Sequence, residues 1–151
     1  MRYYLAYGSN LNRGQMRHRC PDAYPVGTCK LHNHKLVFRR GVLTIEPEHG
    51  SFVPVAVWAI SRNDEKSLDR YEGFPHLYYK REFPLVFSGE SMGKATEIIV
   101  DGMAYVMTDG FPIQPPSESY MRTCMEGYLN FGINPDPLLD AYREAKGGDK
   151  Q

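Results

Sequence analysis

Short runs of apolar, β-branched and aromatic residues, each bounded by turn-forming residues, fill most of the chain up to residue 107. Runs of this length and composition are typical of β-strands. After an opening strand that begins at Arg2, the pattern predicts strands over 24–29, 31–38, 42–45, 53–60, 78–87, 95–100 and 103–107, with a tight hairpin turn at Asp101-Gly102. So many short strands in so small a chain could close into a barrel, which would leave no exposed edge.

Helical signals lie between and after these strands. A short helix is predicted over about 10–18, with Ser9 or Asn10 as its N-cap, and a second helix after residue 63 that ends before Gly73. Ser117 can cap a third helix, and Asp136 with the following proline begins a fourth. Strands in succession with few helices predict an α+β fold in one domain over residues 1–146, followed by a flexible tail over 147–151.

Composition limits the partners and the compartment. Lys and Arg total 18, as do Asp and Glu, so the net charge is zero and neither a nucleic acid nor an anionic membrane is an expected partner. Cys20, Cys29 and Cys124 are widely spaced, which argues against a disulfide framework and a cysteine zinc site and suits a reducing cytoplasm. No apolar run approaches the length of a membrane span, so a soluble cytoplasmic protein is expected.

The opening strand breaks abruptly into Tyr7-Gly8-Ser9-Asn10-Leu11. A strand that passes through a short polar loop into a helix leaves backbone N–H groups free to meet a ligand. A plain turn is the alternative, because Gly, Ser and Asn also turn a chain at low cost.

Glu72 is the strongest single candidate for chemistry. It stands directly before the Gly73 that ends the predicted helix, where the negative end of the helix dipole disfavours an ionised carboxylate and raises its pKa. A carboxyl of this kind suits a general acid/base, although many surface helices also end in Glu.

Other reactive side chains offer weaker signals. His32 and His34 would share one face of a strand, but no third ligand lies nearby in sequence, so no metal site is predicted. The basic residues before Cys20 could lower the pKa of its thiol, but a buried, inert thiol is favoured because no partner base is evident.

Several short motifs, taken together and in order from residue 2 to about 139, resemble the γ-glutamylcyclotransferase (AIG2-like) family. They are Tyr7-Gly8-Ser9-Asn10-Leu11, Arg19-Cys20-Pro21, Leu43-Thr44-Ile45, Val57-Trp58, Leu68-Asp69-x-x-Glu72-Gly73, Tyr79, Ala104-Tyr105-Val106-Met107 and Pro116-Ser117-x-x-Tyr120.

The resemblance implies a small mixed β-barrel with flanking helices and an enzyme that needs neither cofactor nor metal. The α-amine of a γ-glutamyl group attacks its own γ-carbonyl and releases 5-oxoproline, an acyl transfer within one molecule. Glu72 corresponds to the family's acid/base. The resemblance also implies that the substrate is a small γ-glutamyl molecule. The positions that would bind it are Tyr7, Gly8, Ser9, Asn10, Leu11, Tyr105 and Tyr120.

The sequence does not decide the substrate class or which part of the substrate the loop at Gly8 binds. A γ-glutamyl amino acid, a γ-glutamylamine and a γ-glutamyl-tagged metabolite are all compatible with these motifs, and the loop at Gly8 could face either the α-carboxylate or the oxyanion. Leu77 stands where relatives commonly have Gly, which affects the loop after Gly73. The rival interpretation is a binding domain without turnover, against which the retained Glu72 counts, because a buried carboxyl costs free energy to desolvate.

Overall fold

In the computed structural model, which describes residues 1–91 and 94–147, five β-strands and four α-helices form an α+β fold, as predicted. The strands are β1 (Arg2–Ala6), β2 (Tyr24–Arg39), β3 (Val42–Ile60), β4 (Tyr78–Ser91) and β5 (Lys94–Met107). The helices are α1 (Arg13–Arg19), α2 (Arg62–Glu72), α3 (Glu118–Asn130) and α4 (Asp136–Ala145), with a short 3₁₀ helix at Ser9–Leu11. Of the predicted tail, residues 148–151 lie outside the described part of the chain.

The strands are fewer and longer than predicted. The predicted strands at 24–29 and 31–38 are one strand, β2, and those at 42–45 and 53–60 are one strand, β3. These two strands pair from Arg39 with Val42 to Tyr24 with Ala59, with shifts of register at Pro25/Gly27 and His32/His34. Pairing with a long partner therefore overrides the weak local signals that divided them.

The predicted hairpin turn at Asp101-Gly102 is wrong. Both residues lie inside β5, where Asp101 pairs with Pro84 and Gly102 with Phe83. A Cβ atom on Gly102 would lie 2.5 Å from the Leu5 side chain, so glycine serves the close passage of β5 across β1.

The predicted barrel is also wrong, because the described strands form an open sheet in the order β2-β3-β1-β5-β4. β1 pairs antiparallel with β3 and parallel with β5, so the sheet is mixed. The two outer strands curl toward each other, and the Cys29 thiol comes within 3.7 Å of the Val86 carbonyl. A cavity of about 1180 Å³ lies between these two strands and is also lined by the segment between α3 and α4. The sheet therefore stays open on this side.

The core lies on the central strands. Leu5 on β1, Val55 and Val57 on β3, and Met103 on β5 are almost fully buried, and Tyr128 of α3 packs into the same cluster. The apolar side chains of β1 thus fix the position of the loop that follows it. No helix in the described part of the chain is long and apolar enough to span a membrane.

Candidate active site

The loop after β1 is held rigidly from several sides. A Cβ atom on Gly8 would lie 3.1 Å from the hydroxyl oxygen of Tyr120, so glycine lets the loop approach α3 closely. The Ser9 hydroxyl lies 2.9 Å from the Tyr71 hydroxyl, and Asn10 donates to the Tyr4 hydroxyl at 3.0 Å. Ser9 and Asn10 begin the 3₁₀ helix, so their N–H groups have no acceptor within it.

This loop forms one wall of a cavity of about 190 Å³. The opposite walls come from the end of α2, the β2–β3 turn, and tyrosines on β1, β4, β5 and α3. The residues around it are Tyr4, Tyr7, Gly8, Ser9, Asn10, Arg40, Val42, Leu43, Tyr71, Glu72, Tyr78, Tyr105 and Tyr120.

Glu72 is the last residue of α2, and Gly73 ends the helix in the left-handed conformation. Burial raises the pKa of Glu72 to about 7, against the opposing charges of Arg19 and Arg40, which lower it. The sequence anticipated the direction of this shift, but burial rather than the helix dipole is its largest cause. The carboxyl can therefore gain and lose a proton near neutral pH.

Three tyrosines around Glu72, namely Tyr7, Tyr78 and Tyr120, are neutral phenols at neutral pH. Tyr7 donates to the Tyr105 carbonyl at 2.6 Å, and Tyr78 donates to the Leu43 carbonyl at 2.8 Å. Burial raises the pKa of Tyr7, Tyr78 and Tyr120 above the usual range. These hydroxyl groups shape the cavity and leave proton exchange near neutrality to Glu72.

Tyr105 is fixed from outside the cavity. Its hydroxyl donates to Asp69 Oδ1 at 2.6 Å, and the same carboxylate lies 2.9 Å from Lys80 Nζ. Lys80 also contacts Glu65 at 2.7 Å. Since Asp69 and Glu72 both belong to α2, one helix positions Tyr105 and supplies the carboxyl of the cavity.

Arg40, a positively charged residue at the cavity, has an unusual backbone conformation. Arg40 and Gly41 connect β2 to β3 as a two-residue turn, with φ angles of 56° and 77°. Such turns favour Asn or Gly at the first position, and a left-handed arginine costs roughly 1 kcal/mol. The Arg40 N–H donates to the Pro112 carbonyl at 3.1 Å, which helps to hold the turn in place.

A family model described as "Gamma-glutamyl cyclotransferase, AIG2-like" matches residues 4–123, most of the chain. The chain belongs to this family. A solved structure named "Gamma-glutamyl cyclotransferase" is 25% identical, with a TM-score of 0.74 over 96% of this chain and 86% of that one. A human protein described as uncharacterized is 26% identical, with a TM-score of 0.72 over 95% and 85% of the two chains.

The protein YkqA from Bacillus subtilis shares the fold, with 20% identity and a TM-score of 0.64 over 96% of this chain and 54% of that one. A search of curated proteins found no match to this sequence. The comparisons thus establish the family and the fold of this γ-glutamyl cyclotransferase-like chain, and the roles of single residues rest on the geometry of the cavity.

The structure brings together nearly all the residues that the sequence singled out for this family site. Those around the cavity are Tyr7, Gly8, Ser9, Asn10, Glu72, Tyr105 and Tyr120. Leu11 lies apart, because its side chain is fully buried in the core and its N–H donates to the Gly8 carbonyl at 3.1 Å. The helix after the loop is capped by Asn12, so Ser9 and Asn10 were the wrong N-cap candidates.

Sequence reasoning missed Tyr4, Arg40, Tyr71 and Tyr78 around the cavity. Tyr71 adjoins Glu72, which was a usable signal. Arg40 gave none, since its place depends on a turn between two strands whose pairing is not visible in the sequence.

Leu77, the departure from the family pattern, packs against Gly73 and is not among the residues around the cavity. Its N–H donates to the Gly73 carbonyl at 2.9 Å. The leucine therefore packs against the loop after α2 without lining the cavity.

The histidines and cysteines lie outside this cavity. His32 and His34 border the gap between β2 and β4, and a strand irregularity separates them. Among the described residues, no group of three or more His, Cys, Asp or Glu side chains is placed to hold a metal ion. Burial raises the pKa of Cys20 to about 12, which makes its thiol inert despite the neighbouring Arg19.

Proposed function

We propose that this protein is a γ-glutamyl cyclotransferase that releases 5-oxoproline and a free amine from a γ-glutamyl compound. The observation that carries the proposal is Glu72, a carboxyl with a pKa near neutrality at a small cavity beside the Gly8–Asn10 loop. Membership in the family supports the same reaction class. The substrate is expected to enter with its glutamyl part in the cavity.

Glu72 acts first as a base and then as an acid. The α-ammonium of the glutamyl group has a pKa near 8 and must lose a proton before its nitrogen can attack. Glu72 accepts that proton, and the α-nitrogen forms a bond to the γ-carbon, giving a tetrahedral oxyanion. The bond from the γ-carbon to the leaving nitrogen then breaks as Glu72 returns a proton to that nitrogen, and the ring nitrogen gives up its second proton to water, which leaves neutral 5-oxoproline and the free amine.

The loop supports the reaction by binding negative charge. In this mechanism the N–H groups of Ser9 and Asn10, which have no acceptor within the 3₁₀ helix, stabilise the oxyanion or hold the α-carboxylate. Both reacting atoms belong to one substrate, so the main work of the cavity is to hold the glutamyl chain folded. Orientation of this kind supplies several kcal/mol in model reactions.

The test is to incubate the protein with a panel of γ-glutamyl amino acids and γ-glutamylamines and to measure 5-oxoproline by mass spectrometry. Glu72→Gln keeps the size of the side chain but removes the proton shuttle, so we expect turnover to fall by about 100-fold or more. Glu82→Gln, at an exposed carboxylate on β4, is the matched control and should keep full activity. Full activity in Glu72→Gln would refute the mechanism, and silence of the wild-type protein across the panel would favour a binding domain.

A further inference from the structure

A second depression of about 500 Å³ adjoins the cavity. The two share Ser9, Arg40, Val42, Tyr71 and Tyr120, so these residues lie between the two spaces. The cavity itself, at about 190 Å³, is smaller than typical ligand pockets of roughly 300–1,000 Å³. If the glutamyl part occupies the cavity, as the proposed function requires, the leaving group extends into the second depression.

Arg40 stands at the junction of the two spaces with an unmet hydrogen-bonding group. Its Nε atom is buried and has no hydrogen-bond partner among the described residues. A buried donor without a partner is costly, so such groups commonly have a ligand or water to bind. The guanidinium carbon also lies 5.4 Å from the centre of the Phe111 ring.

The other arginine near the cavity is already engaged. Arg19 lies over the Tyr71 ring at 3.5 Å and donates to the side chains of Asn10 and Gln15. Its role is to hold the loop and Tyr71 in place. Arg40 is therefore the arginine at the cavity that is available to an anion.

We propose that Arg40 binds the carboxylate of the leaving group, so that this enzyme prefers γ-glutamyl amino acids to γ-glutamylamines. In a γ-glutamyl amino acid, that carboxylate is attached to the carbon next to the leaving nitrogen, which places it just outside the cavity. Arginine presents paired N–H donors that match a carboxylate. A γ-glutamylamine leaves the same donors without a partner, which the buried position of Nε penalises.

The test compares γ-glutamyl-L-alanine with γ-glutamylethylamine, which differ only in the leaving-group carboxylate. Arg40→Gly suits the left-handed backbone at this position and is expected to fold, which circular dichroism and thermal unfolding can verify. We expect it to lower the ratio of kcat/KM for the alanine compound to that for the ethylamine compound by about 10- to 100-fold. Arg40→Lys should restore part of the ratio, since it keeps the charge but not the paired donors.

Arg39→Gln is the matched control, because the Arg39 guanidinium is held by Glu46 and the Phe111 carbonyl away from the cavity. It should leave the ratio unchanged. Equal losses for both substrates in Arg40→Gly would show that Arg40 acts on the glutamyl part or on Glu72 rather than on the leaving group and would overturn the inference, as would an unchanged ratio. No 5-oxoproline from either substrate with the wild-type protein would instead overturn the proposed function, and this inference with it.

Discussion

At the residue scale, Glu72 combines two opposing influences on one carboxyl. Burial favours the protonated form, while Arg19 and Arg40 favour the ionised form, and the balance leaves a pKa of about 7. An exposed Glu, with a usual pKa near 4.5, would be almost fully ionised at neutral pH and a poor proton donor to the leaving nitrogen. The two arginines therefore limit how far burial raises the pKa of this carboxyl.

A pH titration follows from this balance. Glu72 must be ionised to accept the first proton, so we expect kcat/KM to rise with pH through about 7. A ¹³C NMR titration of the glutamate carboxyls provides a second measurement that does not depend on the substrate. The signal missing from Glu72→Gln identifies the group, and a midpoint near 4.5 would contradict the assignment.

At the element scale, α3 and the 3₁₀ helix meet at a glycine. A Cβ atom on Gly127 would lie 2.6 Å from Leu11 Cβ and 2.7 Å from the Asn12 backbone nitrogen, and neither atom is the end of a flexible side chain. The Ser9–Leu11 helix can therefore pack this closely against α3 only because Gly127 has no side chain.

We predict that Gly127→Ala lowers the free energy of unfolding by about 2 kcal/mol, as overpacking does in protein cores. It should also lower turnover, because the displaced 3₁₀ helix carries Ser9 and Asn10. Urea denaturation and the 5-oxoproline assay measure the two effects. Leu129→Ala, on the same helix at a side chain that is 75% exposed, is the control and should change stability by less than about 0.5 kcal/mol.

The sequence predicted which secondary-structure elements occur better than it predicted where each one begins and ends. Local composition correctly indicated where extended chain occurs, and the capping residue Ser117 marked a helix start that the structure keeps. Strand ends failed because pairing with a distant partner decides them, as in β2 and β3. Gly102 was misinterpreted for the same reason, since a glycine needed for a turn and one needed for close passage look alike in sequence.

For the candidate site, motif reasoning identified the residues that belong to continuous segments, the loop after β1 and the end of α2. Arg40 and Tyr78 remained hidden because they reach the cavity through the tertiary arrangement of strands. Leu11 was included because it is adjacent in sequence, but the turn of the 3₁₀ helix directs its side chain into the core.

At the scale of the whole molecule, the pKa of Glu72 links its proposed role to folding. The unfolded chain holds this proton with a pKa near 4.5 and the folded chain with a pKa of about 7. Between these values the folded state binds more protons at Glu72, so the contribution of Glu72 to the free energy of unfolding is full below pH 4.5 and declines as pH rises to about 7. Above pH 7 the ionised carboxyl of Glu72 therefore lowers the stability of the folded protein.

We predict that Glu72→Gln is more stable than the wild-type protein above pH 7, with the difference growing by about 3 kcal/mol between pH 4.5 and 7. Urea denaturation of both proteins at pH 5 and pH 8 measures it, since other carboxyls titrate alike in the two and cancel. Glu82→Gln should show no such pH-dependent difference. Parallel stability curves for Glu72→Gln and the wild-type protein would refute the linkage.

The central position of β1 has a consequence for the order of folding. β2–β3 and β4–β5 are hairpins formed by neighbouring stretches of chain, whereas β1 lies between them and pairs with both. Contacts between distant segments form late because closing long loops costs entropy. We therefore expect the loop after β1 to meet Arg40, Glu72 and Tyr120 late, so that the cavity forms in the last steps of folding.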